Sequence, residues 1–293
     1  VNKPRALLTA VVAVFMMAFV PVIVKVIQAN EATIGMVRLL IAAAGVSLWL
    51  VMRKHSLRMS RREWLCLILL GLVFAVHWFT YFKSIKLSTP SIAAIGVATY
   101  GIHLTFLSRI FLKQASNWFD WVAVMVAFYG VYLVVPEFEW ESDQVQGLLV
   151  GVVSGFLYAC LPIIHQKSAH IPNSIRAWGQ FAFALAAFCL LLPWSQWQLN
   201  TTDWSGLVFM GIVSTLAAHS LWVKATTELP GITTSMIYYL YVPITMVYSF
   251  VWTSESISMQ MLLGATLIIG ANVAGLGLRW LQSRRKSTTV KVS

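Results

Sequence analysis

Long apolar runs separated by short polar connectors dominate the chain, and charged positions gather in the connectors. A helix crossing the hydrocarbon core of a bilayer needs about 20 mostly apolar residues. Ten runs approach or exceed that length, at 6–27, 33–52, 63–82, 90–112, 118–135, 147–164, 177–194, 204–223, 232–252 and 259–280. The fifth, sixth and seventh are the shortest. The connectors leave no room for a soluble domain. The pattern therefore predicts an all-α polytopic membrane protein with ten transmembrane helices. The first run is too long for a signal-peptide core and lacks a small-residue cleavage site, so it reads as a retained span.

Connector charge sets the orientation. Lys3 and Arg5 precede the first span, and Arg53, Lys54, Arg58, Arg61 and Arg62 fill the second connector. Lys113, Lys167, Arg176 and the basic tail from Arg279 to Lys291 lie on the same side. The alternate connectors hold Lys83 and Lys86 among acids at Glu31, Glu137, Glu139, Glu141, Asp143, Asp203 and Glu255. Positive connectors stay in the cytoplasm, which places both termini inside. Tryptophans such as Trp64, Trp118, Trp140, Trp194, Trp204 and Trp252 fall at span ends, where an interfacial belt is expected.

Composition agrees with the pattern. Of 293 residues, 59% are hydrophobic and 11% charged, against about half and about a quarter in soluble domains. The net charge of +11 would suit nucleic acid as a single patch, but here it is distributed by topology, so no nucleic-acid partner is expected. Cys66, Cys160 and Cys189 stand singly in apolar runs and read as small hydrophobes. Neither a metal site nor a cofactor motif is apparent. The expected partners are the bilayer and a small-molecule substrate, with the protein itself a monomer.

An internal repeat divides the chain. At an offset of 140–141 residues Pro21 matches Pro162, Pro90 matches Pro230, Tyr100 matches Tyr241 and Gly130 matches Gly270. Lys25 aligns with Gln166 and Ser84 with Ala225. Two five-helix halves, 1–140 and 141–293, then insert in opposite senses, an inverted-repeat plan that puts a substrate site at midplane between them. Lys25 late in the first span, Arg38 early in the second, and the stretch from Leu229-Pro230 through Tyr241-Val242-Pro243 to Glu255 and Gly264 resemble the drug/metabolite transporter superfamily, specifically its EamA-type bacterial exporters. The chain departs from that family at Met17-Ala18-Phe19, at Lys113-Gln114 and around Gly101, where a proline is usual. The resemblance implies a secondary transporter in the bacterial inner membrane, without enzymatic activity.

Candidate substrate contacts begin with the intramembrane charges, which are costly and usually functional. Lys25 and Arg38 either snorkel to the outer interface or attract an anionic group. No Asp or Glu stands in the middle of a span, so the buried carboxylate that an organic-cation exporter needs is absent. His77, His103 and His219 are the candidates for proton coupling or for cavity walls, and either packing or function explains each. His219 aligns with Trp78 and Trp222 with Tyr81, so each half carries a histidine near an aromatic residue. Tyr100, Tyr239 and Tyr241, with Tyr158 and Tyr238, add weak adaptable contacts inside the spans. Pro21 and Pro162 are the candidate hinges. Gly147, Gly151 and Gly155 form a small-xxx-small face for close helix contact.

Export of a small polar metabolite, an amino acid or related zwitterion, is the leading expectation. Uptake, or a larger aromatic or vitamin-like cargo, is the alternative. An intramembrane enzyme is the distant one, with Ser154 and His219 as an imaginable dyad that nothing orients. The chain has no nucleotide-binding Gly-rich loop to drive a pump. The topology is testable in a background with Cys66, Cys160 and Cys189 replaced by alanine. Ser56→Cys should react with an impermeant maleimide only from the cytoplasmic side, and Ser142→Cys only from the outside. Labelling of both from one side would refute the orientation.

Overall fold

Capping residues and prolines set the helix boundaries. The computed structural model describes residues 3–113, 118–134, 139–229 and 237–289, and these residues contain helices and no strand. Of the residues named above, Gln114, Glu137, Pro230 and Lys291 lie outside the described residues. The first span comprises α1 (Lys3–Met17) and α2 (Phe19–Val26), interrupted at Ala18. Pro21 has no N–H and its ring crowds the Met17 carbonyl four residues back, which accounts for a break at that point. Helix α3 (Glu31–Met52) starts at Asn30, whose side chain accepts from Thr33 N. Helix α4 (Arg61–Leu87) starts with a capping box between Ser60 and Glu63.

The fourth span comprises α5 (Pro90–Ala98) and α6 (Tyr100–Leu112), interrupted at Thr99. No proline causes this break. Instead the Thr99 hydroxyl donates to Gly96 O at 2.7 Å and the backbone tightens, with Thr99 N on Gly96 O and Ile102 N on Thr99 O. Helices α7 (Trp118–Leu133), α8 (Asp143–Lys167) and α9 (Asn173–Cys189) follow. Helix α10 (Thr201–Phe209) passes through a π-helical stretch, Met210–Ala217, into α11 (Ala218–Glu228). Helix α12 (Tyr241–Thr253) follows a turn at Tyr239 and Leu240, where Pro243 leaves the Tyr239 carbonyl without its usual donor. Helix α13 (Met259–Thr289) ends the described chain.

Among the described residues six helical stretches are long and apolar enough to cross a membrane: Pro4–Val26, Glu31–Met52, Arg61–Leu87, Pro90–Leu112, Asp143–Lys167 and Thr201–Trp222. Trp121–Leu133 and Met259–Gly275 are apolar but shorter. The other expected spans fall on α9 and on α12, and residues 232–236 of the latter lie outside the described set. Trp118, Trp140, Trp194 and Trp252 are exposed at helix ends, as interfacial residues should be.

The first and second parts of the chain interlock. Helix α4 packs on α8 and α9, α5 and α6 on α8, α3 on α9, α1 on α11, and α7 on α13. Every one of these pairs joins a helix before residue 140 to one after it. One apolar core runs through most of the bundle, and a second, formed between α5, α6, α7, α8, α12 and α13, holds the α7–α13 pair at its edge.

Lipid tails are as apolar as leucine, so helices in a bilayer associate through close packing of small residues. The Gly147, Gly151 and Gly155 face does this against α4 and α5. A Cβ on Gly147 would lie 2.5 Å from Ser88 Cβ, one on Gly155 2.8 Å from Thr99 Oγ1, and one on Gly96 3.1 Å from the Gly151 backbone. The repeat-related glycines Gly130 and Gly270 do not share a role. Gly130 abuts the Gly264 carbonyl, whereas a Cβ on Gly270 meets nothing within 4 Å. Gly151→Leu should therefore destabilise the fold by about 1–3 kcal/mol, read as a lower melting temperature in detergent. Gly270→Ala should leave the melting temperature unchanged; equal effects at both sites would refute the packing argument.

Candidate functional site

At the predicted outer ends, side chains cap the carbonyls of neighbouring helices. Lys25 Nζ donates to Lys86 O at 3.1 Å and to Ser88 O at 2.5 Å, covering the end of α4. Lys86 Nζ in turn donates to Ile27 O at the end of α2. The two lysines thus exchange helix ends. Asp203 Oδ1 accepts from Gln28 N at 2.9 Å, Asn30 Nδ2 donates to Trp194 O, and Thr33 Oγ1 both donates to Gln196 O and accepts from Gln196 N. Glu255 Oε2 accepts from Ser91 N, Ser91 Oγ and Ser249 Oγ, tying the connector before α13 to the start of α5. Most of these bonds run between the two halves.

Deeper in the bundle, α4 presents one buried face every turn. Phe74, His77, Trp78, Tyr81 and Ser84 are all buried on it. His77 Nδ1 lies 2.8 Å from Ser154 Oγ and 3.0 Å from Ser154 O on α8, and Ser154 Oγ donates to His77 O at 3.0 Å. With the hydroxyl proton on the His77 carbonyl, the ring nitrogen donates to Ser154. The partner of Ser154 is therefore His77, and the Ser154–His219 dyad imagined from sequence is overturned. Among the described residues no Asp or Glu bonds to either side chain, and the pair fastens α4 to α8.

Tyrosines surround this bolt. The Tyr81 and Tyr241 hydroxyls are 2.5 Å apart, joining α4 to α12. Tyr158 stacks on His77 at 4.9 Å between ring centroids and meets Tyr100 at 5.3 Å and Tyr238 at 5.5 Å. Tyr238 stacks on Tyr241 at 5.6 Å and meets Trp222 at 5.7 Å, while Tyr239 meets Tyr100 at 5.8 Å. Tyr100 follows the break at Thr99 and Tyr239 lies in the turn at Tyr239–Leu240; Thr99 and Leu240 are 141 residues apart.

Arg38 is the unusual member. It is 2% exposed, so it does not snorkel; that alternative fails because its face of α3 turns into the bundle. Its guanidinium carbon lies 4.2 Å from the Trp78 ring centroid and 5.2 Å from that of Phe82. Nε donates to Thr215 Oγ1 at 3.0 Å, and Nη1 is buried with no partner. Thr215 belongs to the π-helical stretch, and its own hydroxyl proton goes to Met210 O at 2.9 Å. One turn later His219 meets Trp78, Phe74 and Phe181 at 6.3, 6.4 and 6.0 Å, and its Nδ1 makes no hydrogen bond of normal geometry.

The sequence-derived residues thus divide. Arg38, His77, Trp78, Tyr81, Tyr100, His219, Trp222, Tyr239 and Tyr241 belong to one continuous cluster. Lys25 stands apart at the outer end, and His103 stands apart beside Thr99 and Phe156. Pro21 accompanies an interrupted helix, whereas Pro162 sits inside the unbroken α8. Thr215, Ser214 and Lys86 were not anticipated. A hydroxyl residue deep in an apolar span was the available signal for the first two. Among the described residues no cluster of His, Cys, Asp or Glu is arranged to hold a metal ion.

Comparison with known proteins follows from this arrangement. Residues 4–135 and 145–274 match the model of the EamA-like transporter family. A protein of Archaeoglobus fulgidus named Uncharacterized transporter is 21% identical over 265 residues, covering 87% of this chain and 90% of the relative. Uncharacterized transporter YwfM of Bacillus subtilis is 25% identical over 214 residues, covering 70% of each chain. A solved crystal structure superposes with a TM-score of 0.68 at 16% identity, covering 94% of this chain and 98% of that one. At that identity the likeness is one of fold.

The His77–Ser154 bolt has a direct test. His77→Phe and Ser154→Ala should each lower stability in a denaturing-detergent titration. The double variant should lose less than the sum, with a coupling of about 0.6–1.7 kcal/mol, the range for hydrogen bonds between membrane helices. Strict additivity would show that the two side chains do not act together.

Proposed function

The chain belongs to the EamA-like transporter family, and we propose that it is a secondary-active exporter of a small polar metabolite, an amino acid or related zwitterion. The proposed plan has ten spans in two inverted five-helix repeats, 1–140 and 141–293, with both termini in the cytoplasm of a bacterial cell and a monomer as the working unit. The two matched stretches, 4–135 and 145–274, support that division. Transport proceeds by alternating access, each half taking in turn the conformation its partner has left.

One observation carries the reading. Trp78 and His219 are equivalent in the repeat, and their rings are 6.3 Å apart. Residues related by a two-fold axis touch only where the axis passes. The axis of the repeat then runs through the buried aromatic cluster, the position at which an inverted-repeat transporter holds its cargo. The cluster offers one cation, ring nitrogens and tyrosine hydroxyls on an apolar wall, which suits a small polar cargo carrying an apolar part. The density of tyrosine rings supports a second reading, a larger aromatic cargo.

The cross-half bonds at Gln28, Asn30 and Thr33 hold the outer ends together, so release to the outside requires them to part. Proteoliposomes loaded with a panel of labelled amino acids, with and without a pH gradient, test the function. Flux of at least one amino acid above empty liposomes is expected, and none across the panel would overturn the zwitterion reading. Thr33→Cys with Gln196→Cys, joined by a reducible bifunctional crosslinker in a cysteine-free background, should stop flux to background. Reductant should restore it. Unchanged flux in the linked protein would refute movement at this face.

A further inference from the structure

The buried guanidinium of Arg38 is satisfied on one side only. Nε is held by Thr215, the aromatic faces of Trp78 and Phe82 cover its plane, and Nη1 meets no acceptor. The ion pairs among the described residues are Lys83–Glu31 and His170–Glu63, and neither reaches it. An unpaired ion away from water is costly, and the buried acid among the described residues, Asp203, is taken up by the Gln28 and Asn200 backbone N–H groups. Trp78 lies beside Arg38 and also beside His219, whose Nδ1 makes no hydrogen bond of normal geometry although its ring lies near the Ser214 and Thr215 carbonyls of its own span. One side chain comes from each half of the chain. Two buried polar atoms without a normal hydrogen bond therefore flank the same indole.

We infer that Arg38 and His219 form a carboxylate subsite, so that the cargo is a monocarboxylate and binds by its carboxylate at this point. The inference rests on the transporter reading above and narrows its substrate class. The ligand charge follows from the inventory. One permanent cation is neutralised by one carboxylate and the ammonium of a zwitterion is left to the aromatic faces, whereas a phosphate dianion would leave a negative charge among rings that repel it. The guanidinium offers its unmet Nη1–H to a carboxylate oxygen as a charge-assisted hydrogen bond. Thr215 and Trp78 are positioning residues: the hydroxyl fixes Nε and the indole fixes the plane, so Nη1 is presented without rearrangement. Because Thr215 hangs on the π-helical stretch and Arg38 on α3, movement of α3 against that stretch would disassemble the subsite and release the anion.

Equilibrium binding separates this proposal from transport. The full-length protein in detergent is probed by thermal shift and calorimetry with L-leucine, L-threonine and L-phenylalanine, with the three corresponding amides, and with inorganic phosphate. At least one acid should stabilise the wild type, while its amide and phosphate should not. Arg38→Gln should weaken that acid's affinity by at least about tenfold, the effect of one lost charge-assisted hydrogen bond. His219→Phe keeps a ring in place and should weaken the same acid without creating affinity for the amide. Arg38→Lys keeps the charge but not the guanidinium plane, and should recover only part of the affinity. The subsite is overturned if no acid binds, if amides or phosphate bind as well as the acids, or if both Arg38→Gln and His219→Phe retain wild-type affinity. Flux that persists in Arg38→Gln without preference for acids over amides would remove the subsite and leave the transporter reading standing. Acid binding without flux of any cargo would do the reverse.

Discussion

Hydrocarbon offers no water to a freed carbonyl, so a helix that breaks inside a bilayer must pass its unpaired backbone groups to another side chain. The breaks and ends of this bundle follow that demand closely. Near the interruption at Ala18, Ser214 Oγ donates to Met16 O at 2.8 Å. At Thr99 the residue's own hydroxyl serves Gly96 O. Inside the π-helical stretch, Thr215 serves Met210 O. At the ends of α2 and α4 the two lysines serve each other's helix. Ser84 and His77 reach from α4 to Gly147 O and Ser154 O on α8. In several of these cases donor and carbonyl belong to opposite halves, so the backbone of one half is completed by side chains of the other. Of the breaks just described, that at Ala18 is served from the other half, whereas Thr99 and the π-helical stretch are served by their own side chains.

The extent to which this was legible in the sequence differs by level. Apolar run length registers the solvent that each residue meets, so an all-helical, membrane-embedded chain was readable. The Gly147, Gly151 and Gly155 face was readable because close approach demands small side chains at a helical spacing. Tyr100 and Tyr241 were picked out by their 141-residue offset, and both are buried among aromatic rings. Pairings between helices were not. Ser154 faces His77 because α4 lies against α8, and no local pattern states which helices adjoin. Lys86 counted as connector charge, yet it lies in the last turn of α4 and caps α2. Distance from a span end suggested that Arg38 could reach the interface. Its face of α3 mattered more than its depth, because Trp78 and Thr215 wait on the inner side. Of the two prolines, Pro162 sits in an uninterrupted helix, so the missing N–H alone does not break it.

The two intramembrane cations then have different duties, and the difference is one of remaining valence. Lys25 carries three N–H donors and directs two of them at carbonyls of the α4 end. It completes the backbone where the end of α2 meets the end of α4. Arg38 carries five donors in a rigid fork, and the structure occupies Nε while leaving Nη1 unmet. A charge-assisted hydrogen bond adds about 1.5–3 kcal/mol, enough to favour a bound anion over none and too little to hold one permanently. The balance suits a carrier, which must bind its cargo and also let it go. That balance depends on the aromatic surroundings: rings of Trp78 and Phe82 cover the guanidinium without neutralising it, so its field remains for a ligand. A carboxylate in the place of either ring would satisfy Arg38 permanently and close the site to any other anion.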